Sequence, residues 1–121
     1  MLMNNFFTVV NHETGQGSLK ALIEINKGHE ILKGHFPGQP VVPGVCMMQI
    51  VKELMEMRPN KKLRLNEADI MKFLAVIDPD QHSLIDVAVS FSEQADALVI
   101  NASMFSGDVV FFKLKAVLKA E

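Results

Sequence analysis

Apolar side chains fall on alternate positions from Leu19 to Ile25, separated by Lys20, Leu22 and Glu24, and only Leu22 breaks the alternation. A period of two marks a half-buried strand, because successive side chains point to opposite faces. The pattern predicts strands over residues 6–10 and 19–26. Four more are expected over 68–77, 83–91, 95–105 and 109–118, the second and fourth of them alternating well. Turn chemistry at Asp78-Pro79, at residues 92–94 and at Ser106-Gly107-Asp108 separates them.

Between the two sets of strands the pattern changes twice. Residues 28–42 carry Gly34, Pro37, Gly38 and Pro40, so they read as a shaped loop with no helix. After Pro43, whose fixed φ suits a helix start, residues 44–57 contain no breaker and stop before Pro59. Such a helix is about 21 Å long at 1.5 Å per residue. Its polar positions form one stripe of Gln49, Lys52, Glu53 and Glu56, so most of its surface is expected to be buried. Two strands, a long apolar helix and a run of antiparallel strands imply an α+β arrangement, a curved antiparallel sheet wrapped around a long central helix. Such a sheet leaves an edge open, and pairing with a second sheet covers it.

Composition narrows the function classes. The 121 residues suit one domain spanning 1–121, with 49% hydrophobic residues to fill a core and no repeat or linker. A formal net charge of −2 gives no support to nucleic-acid or membrane-surface binding. The longest apolar run, residues 36–51, is broken by prolines and glycines and cannot span a membrane, and residues 1–10 lack signal-peptide features. A lone cysteine, Cys46, rules out an intrachain disulfide and suits a reducing, cytoplasmic setting.

The stretch Gly34-His35-Phe36-Pro37-Gly38-Gln39-Pro40-Val41-Val42-Pro43-Gly44-Val45 fills every fixed position of HFPG-x-P-x-x-PG followed by a helix. It resembles the FabZ/FabA family of 3-hydroxyacyl-acyl-carrier-protein dehydratases, with weaker similarity at Met71-Lys72-Phe73 and at residues 79–81. The resemblance implies a hot-dog fold and conversion of 3-hydroxyacyl thioesters to trans-2-enoyl thioesters. That reaction needs a base for the C2 proton, an acid for the departing hydroxyl, and a donor to the thioester oxygen. His35, with an ordinary pKa of about 6.5, is the candidate base. The resemblance adds Val41, whose carbonyl orients the imidazole, and the Gly44 amide as oxyanion donor. Phe36, Pro37, Gly38 and Val45 complete the expected substrate-binding loop. Helix-start amides lack internal partners and carry partial positive charge, which suits the Gly44 role.

One position departs from the pattern. The family's catalytic carboxylate lies 14 residues after the histidine, where this chain has Gln49, and Glu53 stands one turn later where the family usually has glutamine. Losing general acid-base help typically costs about 10² to 10⁴ in rate. Glu53 is a candidate replacement, although about 6 Å further along the axis. Three readings follow: a hydro-lyase of the FabZ type, a non-catalytic acyl-thioester binding subunit of a heteromeric dehydratase, and a hot-dog thioesterase using Glu53 to activate water. Each takes an acyl-carrier-protein-linked or CoA-linked thioester and needs no metal or redox cofactor. The resemblance also implies a homodimer or higher even oligomer, with the carboxylate reaching the site from the other subunit. His12, His29 and His82 read as structural or solvated, Cys46 and the methionines Met47, Met48, Met55 and Met57 as core. The cluster Arg58, Lys61, Lys62 and Arg64 is a candidate docking face for an acidic carrier protein.

Overall fold

A computed structural model describes residues 1–34, 40–57 and 62–121 of the chain. Its strands are β1 (Phe7–Gly15), β2 (Ser18–Ile25), β3 (Leu63–Phe73), β4 (Leu84–Gln94), β5 (Ala97–Ser106) and β6 (Val109–Ala120), and its helices α1 (Glu30–Gly34) and α2 (Gly44–Met57). All strands join one antiparallel sheet in the order β1-β2-β4-β5-β6-β3. Local hairpins make β1-β2, β4-β5 and β5-β6, whereas β2-β4 and β6-β3 are long-range pairings that leave β1 and β3 as edges.

The helix α2 has the expected bounds, and its Ile50, Val51, Leu54 and Met55 are fully buried. They join one core with the inward side chains of the sheet, among them Ile23, Val87, Ile100, Met104 and Phe112. Each such side chain contributes about 1.5–3 kcal/mol of burial free energy. Among the described residues no helix is long and apolar enough to cross a membrane.

Several expectations need correction. The segment 28–42 is not loop throughout, because Glu30–Gly34 form α1 ahead of the first proline. Its start is held locally: Asn26 Oδ1 accepts from the Gly28 amide at 3.1 Å and His29 Nδ1 from the Ile31 amide at 3.0 Å. The edge strand β1 runs on through the polar residues 11–14, since ladder bonds to β2 rather than burial carry it there. The strand β3 begins at Leu63 and ends at Phe73, five residues earlier at its start and four at its end than the 68–77 expected. Beyond it, the Leu74 amide donates to the Phe111 carbonyl at 2.9 Å and the Ile77 carbonyl accepts from Val42 at 2.9 Å. The turn expected at 92–94 lies at Ala95-Asp96, because Gln94 still pairs with Ala97.

The polar stripe of α2 is also not a solvent face. Glu53 is 1% and Glu56 8% exposed. Glu56 accepts from the Leu63 amide at 2.8 Å and pairs with Lys52 at 3.3 Å, and Lys52 also donates to the Leu63 carbonyl, so helix end and strand start are tied together. Buried carboxylates persist only where such donors replace water.

Candidate functional site

The residues expected at the site divide into two groups on α2. At the helix start, the Pro43 carbonyl accepts from the amides of Cys46 at 3.0 Å and Met47 at 3.3 Å. That leaves the Gly44 amide at the first turn with no carbonyl behind it, a polarised donor ready for an oxygen. A groove of about 530 Å³ opens beside it, lined by Val41, Gly44, Met47, Phe73 and Val76 among others. Its walls are chiefly apolar. A methyl group on Gly44 would lie 2.7 Å from Phe73 Cε1, so glycine lets the aromatic ring close against the helix start. Phe73 in turn stacks on Phe112, with ring centroids 5.2 Å apart.

The second group lies away from that groove. Five residues separate Gly44 from Gln49, a rotation of about 140° around the axis at 3.6 residues per turn. Gln49 shares its face instead with Val45, four residues earlier and 72% exposed. On that face Gln49 Nε2 donates to Glu53 Oε2 at 2.7 Å. The Glu53 carboxylate also accepts from the Leu2 amide at 2.8 and 3.0 Å and from the Met3 amide at 2.8 Å. Burial by itself raises the pKa of this carboxyl, but the Leu2 amide, the Gln49 amide and the Met3 amide outweigh it and hold the value below that of an ordinary glutamate. The group is an ionised acceptor saturated by donors, which makes it a poor proton donor.

The structure therefore brings Val41 and Gly44 to one groove and places Val45, Gln49 and Glu53 along another helix face. His35, Phe36, Pro37 and Gly38 lie outside the described residues, as do Arg58 and Lys61 of the basic cluster. Arg64 meets Asn66 Oδ1 at 3.3 Å. Of the other histidines, His29 caps α1 and packs edge-on against Phe6 at 5.2 Å, and His82 packs against Phe111 at 5.3 Å. Cys46 is buried, and desolvation pushes its thiol pKa up, as befits a core side chain rather than a nucleophile. Sequence reasoning took Met47 first as core and only second as a tunnel wall, missed Val42, Leu74, Ala75 and Val76 as groove walls, and missed the Leu2 and Met3 amides altogether. Phe73 carried a signal, since its strand belongs to the weaker part of the resemblance.

Comparison with known proteins bears on the family and the fold. A family model described as ApeI-like, ApeI dehydratase, matches residues 11–108. A 3-hydroxyacyl-[acyl-carrier-protein] dehydratase FabZ from Mannheimia succiniciproducens is 33% identical over 70 residues, covering 58% of this chain and 46% of the relative. A FabZ of the same description from Haemophilus influenzae is 31% identical over 58 residues, 48% of this chain and 39% of the relative. The matched stretch spans less than half the length of these curated relatives. Among solved structures, the dehydratase heterocomplex ApeI:P from Xenorhabdus doucetiae superposes with a TM-score of 0.73 at 18% identity, over 92% of this chain and 96% of that one. An uncharacterized protein from Erwinia carotovora gives a TM-score of 0.69 at 17% identity, over 93% of both chains. At these identities the likeness concerns the fold, an open six-stranded antiparallel sheet with a helix in the hot-dog manner.

Proposed function

We propose, because this chain belongs to the ApeI-like dehydratase family, that it is a dehydratase subunit for 3-hydroxyacyl thioesters whose site is completed by a carboxylate from a second subunit. The chain acts as one hot-dog domain over 1–121, its sheet curled around α2, in the cytoplasm and on carrier-protein-linked or CoA-linked acyl groups. In this reading His35 removes the C2 proton and the Gly44 amide donates to the thioester oxygen as enolate charge develops. The 3-hydroxyl leaves as water after taking a proton from the second subunit, and the product is the trans-2-enoyl thioester. The acyl chain lies in the groove along Met47, Phe73 and Val76.

The observation that carries this reading is the state of the Gln49–Glu53 pair. Gln49 has no proton to give as an acid, and Glu53, its nearest carboxylate, is buried, ionised and engaged by two backbone amides and the Gln49 side chain. Neither residue of this chain supplies the acid. Gln49 also faces about 140° away from Gly44, as suits a residue directed at a neighbouring subunit's site. A heteromer thus has one complete site, made of this chain's His35 and Gly44 with the partner's carboxylate, and one site weakened by Gln49. The solved neighbour described as a dehydratase heterocomplex is in keeping with such an assembly. A homodimer carrying two Gln49-weakened sites is the competing form, and a thioesterase acting through Glu53 gains no support, since its oxygens are already occupied.

The test is the ultraviolet absorbance of enoyl thioester formed from 3-hydroxyacyl thioester, with the chain alone and mixed with a FabZ-type partner made inert by replacing its own histidine. We expect slow turnover alone, rapid turnover in the mixture, and loss of it with His35→Ala. The exchange Gln49→Glu with Glu53→Gln is expected to raise the chain's own rate by about 10² to 10⁴, the usual worth of a general acid. Fast turnover by the unmixed wild type, unimproved by the exchange, would refute the composite site.

A further inference from the structure

The face of the sheet turned away from α2 carries a feature that the dehydratase reading does not use. Two rungs cross five strands in register. One runs Lys20, Ala88, Ser103, Lys113 and Lys72, and the other Ser18, Ser90, Asn101, Lys115 and Ile70. Together they line a trough of about 530 Å³. Its floor on β4 and β5 is made of small side chains, Ala88, Ser90, Asn101 and Ser103. Its walls are lysines, Lys20 on β2 and Lys113 and Lys115 on β6, with Lys72 beyond them on β3. None of the four ammonium groups is ion-paired among the described residues. Acids border this face at Glu13, opposite Lys20 on β1, at Asp86, opposite Leu22 one rung away, and at Glu67, opposite Val117 one rung beyond Lys115 and hydrogen-bonded to Asp69. The concentration of positive charge stands out in a chain of net charge −2.

The dimensions select an occupant. Three strand gaps separate Lys20 from the Lys113–Lys115 wall, about 14 Å at 4.7–4.9 Å each. An α-helix with its side chains is about 10–12 Å across. A helix laid along the strands would rest on the small floor and present carboxylates to lysines on both flanks. We propose that this trough docks an acidic helix of a partner protein. A second copy of the same face is rejected, since eight lysines would then oppose one another. A membrane surface fits poorly because the floor offers serine, asparagine and alanine rather than inserting aromatic or leucine side chains. Nucleic acid fits poorly because the described residues that line the trough include no arginine and no aromatic side chain for stacking. The docking surface is separate from the Gly44 groove, and its test is independent of turnover.

The experiment measures binding of the full chain to a synthetic alanine-based helix of about 18 residues, roughly 27 Å long, with glutamates along two edges. The same peptide interrupted by two prolines and phosphatidylglycerol vesicles are run in parallel. Backbone amide shifts map the contact, and circular dichroism checks that Lys113→Glu/Lys115→Glu remains folded. The expected result is saturable binding of the helix, shift changes centred on Ser90, Asn101 and Ser103, and at least a tenfold loss of affinity in the charge-reversed variant. Weakening between low and physiological salt is expected as well. Equal binding of the proline-interrupted peptide, vesicle binding in preference to the helix, no binding, or indifference to charge reversal would each overturn the proposal.

Discussion

At the scale of single residues, Glu53 shows how burial and charge are reconciled. Its carboxylate joins backbone amides 50 and 51 residues away in sequence, so one side chain fastens the first residues of the chain to the middle of α2. The donors also turn the Gln49 amide, because an ionised acceptor requires the nitrogen and not the oxygen to face it. The folded pKa lies below the ordinary 4.5, so ionisation favours folding. That contribution is fully present above pH 4.5 and disappears as pH falls through the lower folded value. Glu53→Gln is therefore expected to cost about 1.5–3 kcal/mol at pH 7, the usual worth of hydrogen bonds to a charged group. Urea denaturation at pH 7 and pH 3 checks this: the gap between wild type and variant narrows at the lower pH, and a gap independent of pH would contradict the assignment.

Among the elements, turn geometry makes its own demand. The β4-β5 and β5-β6 hairpins each turn over two residues, Ala95-Asp96 and Gly107-Asp108, and the first of each pair has a φ of 57°. Glycine adopts that left-handed value freely, whereas an L side chain is strained there by about 1–2 kcal/mol. Replacing Ala95 by glycine removes the strain while adding some chain entropy, for a net gain of about 0.5–1 kcal/mol. Thermal unfolding of Ala95→Gly should show a raised midpoint, and an unchanged or lower one would contradict the argument. Strand ends were poorly legible for a related reason. Residues 11–14 are polar and exposed, so no alternation announces them, and only the ladder partner holds them extended; at the start of β3 Leu63 and Leu65 alternate with Arg64 and Asn66 over too few residues to mark a strand. The bounds of α2 were legible because its apolar run is closed by a proline on each side.

For the molecule as a whole, the open edge is the feature with consequences. The edge strand β3 is exposed from Glu67 to Phe73, and Ile70, Met71, Phe73, Leu74 and Val76 leave apolar surface in water. An unpaired strand with apolar flanks is a template for a second sheet. It adjoins the Gly44 groove through Phe73, so a subunit seated there meets the candidate site. Sedimentation is expected to show a dimer for the wild type and a monomer for Met71→Glu/Val76→Glu. A monomeric wild type, or a dimer unaffected by the double change, would remove this edge as the interface.

The amino-acid pattern by itself determined the strand–helix–strand order, the helix over 44–57 and the family resemblance carried by the motif from His35 to Gly44. Each is written in local periodicity, in prolines and glycines, or in a contiguous motif. Tertiary structure alone decided that Glu53 and Glu56 are buried, since their donors come from Leu2, Met3 and Leu63 in other segments. It alone placed β3 beside β6 and so gathered Lys20, Lys72, Lys113 and Lys115 on one face from three strands. The physical reason is range: a periodic pattern reports which face of an element is apolar, whereas the partner of each face depends on pairings across the whole chain.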